Sequence, residues 1–182
     1  MDISKDFFGK PLTAAAALLA RGYECYWPAY GHGDPNEREL TTAMAGALLQ
    51  RPEFTVYAEV PLKAGASEKV DLLALAPDLD LGWIIESKNI ESPKMRGGVL
   101  DDWDKLRRFR LRNSMKEPGT WVRMCLMRGW TDRAMPGDPF EKVGYGRLVA
   151  RLATLSPDLL RDHRLIRSLP HASGPYCHQW LM

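Results

Sequence analysis

An α/β fold, with a three-stranded meander and a fourth strand reached through a helical crossover, is what this chain of 182 residues predicts. Two short apolar runs, residues 70–75 and 83–88, are of strand length, and residues 77–82, bounded by Pro77 and Gly82, read as the turn between them. A helix with an apolar stripe precedes the meander, and a second helix separates it from a later apolar run. The predicted order is helix, helix, strand, strand, strand, helix, strand, helix, helix.

Residues 12–20 are rich in Ala and Leu, which favours a helix that stops near Gly22. An aromatic run of Tyr23, Tyr26, Trp27 and Tyr30 leads into a loop at residues 31–35. Asn36 then serves as N-cap for a helix over residues 37–50, with Glu37 and Glu39 in its first turn. Leu40, Met44 and Leu48 recur every four residues and define the face this helix buries. Glu37, three residues before Leu40, shares that face, whereas Glu39 points away with Ala43 and Gln50.

Residues 54–61 alternate as a strand, and a polar turn spans residues 63–69. The two apolar runs follow, then a loop over residues 89–98. Residues 99–112 form a helix whose start is acidic (Asp101, Asp102, Asp104) and whose end is basic, as its dipole prefers. Residues 121–127 are a strand and 129–139 a loop. Two helical segments, residues 140–155 and 157–167, precede an irregular tail. The whole reads as one domain, residues 1–182, with a core at 36–127 between helical extensions at 1–35 and 128–182.

An apolar fraction of 45% and a charged fraction of 26% are those of an ordinary globular protein. The longest apolar run, residues 14–20, is far short of the ~20 needed to span a bilayer. Asp2 and Asp6 stand where a secretory signal needs positive charge, so a cytoplasmic protein with no membrane partner is expected. Cys25, Cys125 and Cys177 are odd in number and widely spaced, which disfavours a disulfide framework or a structural zinc. His32, His163, His171 and His178 are scattered, and Trp83, Trp103, Trp121 and Trp130 are assigned to packing. Between Lys94 and Arg133 eleven Lys or Arg face five acids, a local excess suited to a polyanion.

Strand alternation puts Glu86 and Lys88 on one face and Ile85 and Ser87 on the other, and the turn brings Asp71 beside the first pair. Three charges at the edge of a β-core are costly unless something neutralises them. The plainer alternative is a surface ion pair between Glu86 and Lys88 on an exposed strand face.

Helix-borne Glu37, then Asp71, then Glu86-x-Lys88 resemble the PD-(D/E)xK nuclease superfamily over residues 36–127. Asn36-Glu37-Arg38-Glu39-Leu40 is similar to the helix start of Holliday-junction resolvases, and Val70 replaces the proline of the motif. The resemblance implies a restriction-endonuclease-like αβββαβ core with a central mixed sheet flanked by helices. It implies a catalytic set of Asp71, Glu86, Lys88 and Glu37. It also implies Mg²⁺ or Mn²⁺ held by Asp71, Glu86, the Ser87 carbonyl and Glu37. Asn89, Lys94, Lys105, Arg107, Arg108 and Arg112 are the residues expected to follow a nucleic-acid backbone. The expected function is a metal-dependent nuclease, a DNA endonuclease or nickase, with DNA preferred over RNA as partner. The alternative is a catalytically silent nuclease-fold subunit that binds nucleic acid within a defence, repair or mobile-element assembly; a homodimer or larger protein assembly is compatible with either.

Overall fold

The computed structural model describes residues 5–30, 36–63, 65–90, 96–111, 116–131, 146–155, 164–171 and 174–181. Helix α1 (Lys5–Tyr30) and helix α2 (Glu37–Leu49) lead into β1 (Thr55–Pro61), β2 (Lys69–Ala76) and β3 (Leu81–Asn89). Helix α3 (Arg96–Arg108) crosses to β4 (Thr120–Thr131), and α4 (Gly146–Leu155), β5 (Arg164–His171) and β6 (Gly174–Leu181) complete the described chain. The six strands form a mixed sheet in the order β1-β2-β3-β4-β6-β5. Only β3 and β4 run parallel, as a strand–helix–strand crossover requires.

Two cores occupy the two faces of this sheet. Leu72, Ala74, Trp83 and Ile85 are buried against Leu40, Met44 and Leu48 of α2 and Leu12, Ala15 and Leu19 of α1. On the opposite face Leu73, Leu75 and Ile84 meet Val99, Trp103 and Leu106 of α3 and Leu148 and Leu152 of α4. Period-two alternation in the strands is thus met by a helical stripe on each side. Trp83 is fully buried, with the rings of Phe7 and Phe54 5.6 and 5.7 Å away.

The meander, the turn at Pro77–Leu79 and the capped start of α2 agree with expectation. Asn36 accepts the Glu39 N–H at 3.1 Å. Ala43 departs from it: it is buried, because the apolar stripe of α2 also takes in Ala43 and Ala47. Helix α1 does not stop near Gly22 but runs to Tyr30. The ~1 kcal/mol cost of a glycine inside a helix is outweighed by packing beyond it. Tyr23 is buried there, and its hydroxyl accepts from Arg128 of β4 at 3.1 Å.

Helix α3 starts at Arg96 and ends at Arg108, four residues before the expected end. The chain leaves the helix so that Phe109 can bury itself edge-on against Trp121, centroids 5.8 Å apart, while the Leu111 N–H donates to Glu117 at 2.8 Å. β4 is longer than expected and continues through Thr131, into the segment expected to be a loop.

The largest correction is C-terminal. Residues 164–167 fall in the segment expected as helix, and residues 168–171 and 174–181 in the expected irregular tail, yet residues 164–171 and 174–181 form a β-hairpin, so the C-terminal extension is not wholly helical. β6 pairs with the far end of β4, from Arg128↔Leu181 to Thr131↔His178. That vacant strand edge is a tertiary fact no local propensity contains. Pro170 fits because β5 lies at the edge of the sheet, where a missing N–H costs no ladder bond.

Gly82 marks the tightest packing of the meander. A Cβ there would lie 2.6 Å from the Trp121 ring and 2.9 Å from Pro118. Gly82→Ala is expected to cost about 1–3 kcal/mol in urea unfolding, the usual range for overpacking.

Candidate active site

The site forms where β2 and β3 part. Their ladder runs from Ala76↔Leu81 to Leu72↔Ile85 and goes no further, although both strands continue. Beyond that point two carboxylates replace the missing backbone partners. The Ser87 N–H donates to Asp71 Oδ2 at 2.7 Å, and the Asn89 N–H donates to Glu37 Oε1 at 3.3 Å. Residues 86, 88 and 90 turn their backbone groups toward β4, as the Ile90 N–H bond to the Arg128 carbonyl at 2.9 Å marks. Because one strand residue projects its N–H and C=O to the same edge, the Ser87 carbonyl faces the parted seam.

The side chains obey the same alternation. Ser87 lies on the α2 face, where Thr41 Oγ1 donates to Ser87 Oγ at 2.9 Å. This contact fixes the first turn of α2 against β3 and so brings Glu37 to the seam. Thr41→Val is expected to lose about 1 kcal/mol of stability by urea titration, the net worth of a hydrogen bond.

Glu86 and Lys88 lie on the α3 face. Glu86 is 3% exposed, which overturns the reading of a surface ion pair. Its partner is Lys105 of α3, with Nζ 2.6 Å from Oε2, while Oε1 is buried without a hydrogen bond among the described residues. Lys88 Nζ lies 3.1 Å from Asp102 Oδ2 and 3.7 Å from Glu37 Oε1. The Asp102 contact is a close, mostly buried ion pair, and it is the strongest favourable interaction of the Lys88 ammonium. Gly98 gives Lys88 room to cross the start of α3: a Cβ there would meet Lys88 Cε at 3.1 Å.

The electrostatics follow from burial and crowding. Desolvation raises Glu86 to about 7; the Lys105 hydrogen bond opposes the rise and the Asp71 charge adds to it. Desolvation also raises Asp71, against the Ser87 N–H and the Lys105 charge. Burial pulls Lys88 down, but Asp102, helped by Glu37 and Glu86, outweighs it and leaves the ammonium above its ordinary value. Burial beside Asp102 and Glu86 pushes the Cys125 thiol up to about 12, so this cysteine is an inert packing group.

Glu37, Asp71, Glu86, Lys88 and Asn89 therefore meet at one seam. Lys105, expected on the substrate-tracking face, turns inward. Arg107 and Arg108 are exposed and pair with Asp104 at 3.8 Å and Glu68 at 3.2 Å. Lys94 and Arg112 lie outside the described residues. Asp102 and Thr41 were not singled out from the sequence. Asp102 sits three residues after Val99 and one before Trp103, beside the buried stripe of α3, and that position was the available signal.

Among the described residues no three His, Cys, Asp or Glu side chains gather into a ready metal cage. The donor set fits Mg²⁺ in a different manner. Mg²⁺ is commonly held by one or two carboxylates, keeping several waters and taking substrate phosphate oxygens. Asp71, the unpartnered Oε1 of Glu86 and the seam-facing Ser87 carbonyl are hard oxygens of that kind. Among the described residues no helix is long and apolar enough to cross a membrane.

One buried glutamate gathers with partly buried carboxylates and lysines where two neighbouring strands part, which sets hard oxygens and ammonium groups side by side. Comparison with family models, with curated proteins and with solved structures finds no match to this chain.

Proposed function

We propose that this protein is a metal-dependent nuclease of the PD-(D/E)xK kind that hydrolyses phosphodiester bonds, with DNA as the preferred substrate. The observation that carries the reading is the seam itself. The β2–β3 ladder ends at Leu72↔Ile85, Asp71 and Glu37 take the next two outward N–H groups, and Glu86 and Lys88 share the face beside Asp71.

Asp71, Glu86 and the Ser87 carbonyl would hold the cation, with Glu37 at its margin. When bound, Mg²⁺ supplies water activation and neutralises charge on the phosphate. Lys88, kept cationic by Asp102, Glu37 and Glu86, orients the attacking water or steadies charge developing on phosphorus. Asn89 lends its N–H to Glu37 and so keeps that carboxylate at the seam. Exposed Arg107 and Arg108 offer charge to flanking phosphates.

Plasmid and branched DNA incubated with Mg²⁺ or Mn²⁺ test the reading, with RNA digested in parallel. Cleavage that disappears in Lys88→Ala while folding is retained supports it; no cleavage of any of these with either metal removes it. One observation favours the silent-subunit alternative: Lys105 already neutralises Glu86. DNA binding that survives Lys88→Ala, without cleavage by the wild type, would establish that alternative.

A further inference from the structure

Two side chains of α3, Asp102 and Lys105, touch Lys88 and Glu86 without belonging to the set that would hold the cation. Lys105 Nζ is 2.6 Å from Glu86 Oε2 and 3.8 Å from Asp102 Oδ1, while Asp102 Oδ2 is 3.1 Å from Lys88 Nζ. One ammonium thus stands between two carboxylates, and the second of them also holds the lysine of the motif. Both members are mostly buried, Lys105 at 19% and Asp102 at 15% side-chain exposure, so each charge strongly feels its neighbours.

We propose that Lys105 is a built-in counter-ion that holds the cation's place on Glu86 and withdraws to Asp102 when a divalent ion enters, loosening Asp102 from Lys88. The inference rests on the metal-dependent reading above and adds to it a regulatory pair on α3. Two cations cannot share Glu86 at close range, since their repulsion at such distances is several kcal/mol even in a moderately polar interior. Glu86 Oε1 is buried and has no hydrogen bond among the described residues, so an ion that reaches it breaks no bond to gain that oxygen. Asp102, one helical turn before Lys105, offers the displaced ammonium a carboxylate that it reaches by rotating about its own side chain. Asp102 then divides its charge between two lysines, and Lys88 becomes available to a phosphate. Asp102 and Lys105 are positioning residues in this scheme, acting through Lys88 and Glu86.

The test is Mn²⁺ affinity, by calorimetry or by electron paramagnetic resonance of free Mn²⁺, on the full chain without nucleic acid. Lys105→Gln keeps a donor for Glu86 but removes the competing charge, and is expected to tighten Mn²⁺ on the order of 10-fold. Asp102→Asn removes the receiving carboxylate and is expected to weaken Mn²⁺ by a similar factor. In the double variant the Asp102→Asn effect should shrink to a small residue, because no ammonium is left to receive. Unchanged or weaker Mn²⁺ binding in Lys105→Gln, or strict additivity in the double variant, overturns the proposal. Should Lys105→Gln not fold, Lys105→Arg serves in its place: a bulkier permanent cation on Glu86 should weaken Mn²⁺, and no change counts against competition. A wild type that binds no Mn²⁺ strikes at the metal-dependent reading instead, so the two failures are distinct.

Discussion

Asp71→Asn is expected to lower Mg²⁺-dependent cleavage by on the order of 10²–10³-fold while leaving the fold nearly intact. The two halves of that expectation come from two jobs of one side chain. Asp71 Oδ2 closes the Ser87 N–H at 2.7 Å, where β2 no longer offers a carbonyl. An asparagine oxygen can accept the same bond, so the seam stays satisfied. It cannot supply the negative charge a hard cation requires. Asp71→Ala removes both functions, and it should add a loss of about 1–3 kcal/mol for the stranded N–H. Single-turnover cleavage read against urea midpoints separates the two effects. Lys88→Arg is a companion variant. A planar guanidinium is a poor substitute for a compact ammonium threaded past Gly98, so only weak rescue is expected relative to Lys88→Ala. Asp71→Asn that cuts as fast as the wild type would show that no cation is held at Asp71.

Much of this site was legible because strand alternation is rigid. Once residues 70–75 and 83–88 are strands, Glu86 and Lys88 must share a face, and the turn at Pro77 must bring Asp71 near them. Glu37 followed from its spacing to Leu40, Met44 and Leu48, all fully buried. What could not be read was what α3 does with its charges. Lys105 belongs to a run of basic residues that looks like a solvated helix end, yet it is drawn inward by a glutamate nineteen positions earlier in the chain. No helical period announces a partner on another element. The C-terminal hairpin was illegible for a related reason. Residues 164–181 hold few β-branched side chains and become strands because the end of β4 offers an unpaired edge. Local pattern located the groups that share an element, and tertiary pairing decided those that meet across elements.

The buried Glu86 carries the second large effect, a dependence of folding on pH that runs opposite to the common carboxylate case. Its ordinary value of 4.5 holds in the unfolded chain, whereas burial raises it to about 7 in the folded protein. Below pH 4.5 the carboxyl is protonated in both states and contributes nothing to the balance. Between about 4.5 and 7 the folded state keeps a proton that the unfolded chain has released, so stability falls as pH rises through this window. Above 7 the full cost is present. With allowance for solvent screening at the mouth of the site, this amounts to about 1–3 kcal/mol. Asp71 is raised for the same reason and acts in the same direction. Glu86→Gln should therefore stabilise the metal-free protein at pH 8 and do little at pH 4, measured by urea unfolding in the presence of a chelator. Mg²⁺ should reverse the slope in the wild type. A cation binds the ionised carboxylate, so its contribution grows as pH rises through 7, and it should be absent in Glu86→Gln. A stability difference between wild type and Glu86→Gln that stays constant from pH 4 to 8 would mean that Lys105 offsets burial and leaves Glu86 titrating alike in the folded and unfolded chain. The same result would take away the energetic reason for a second cation to enter the seam.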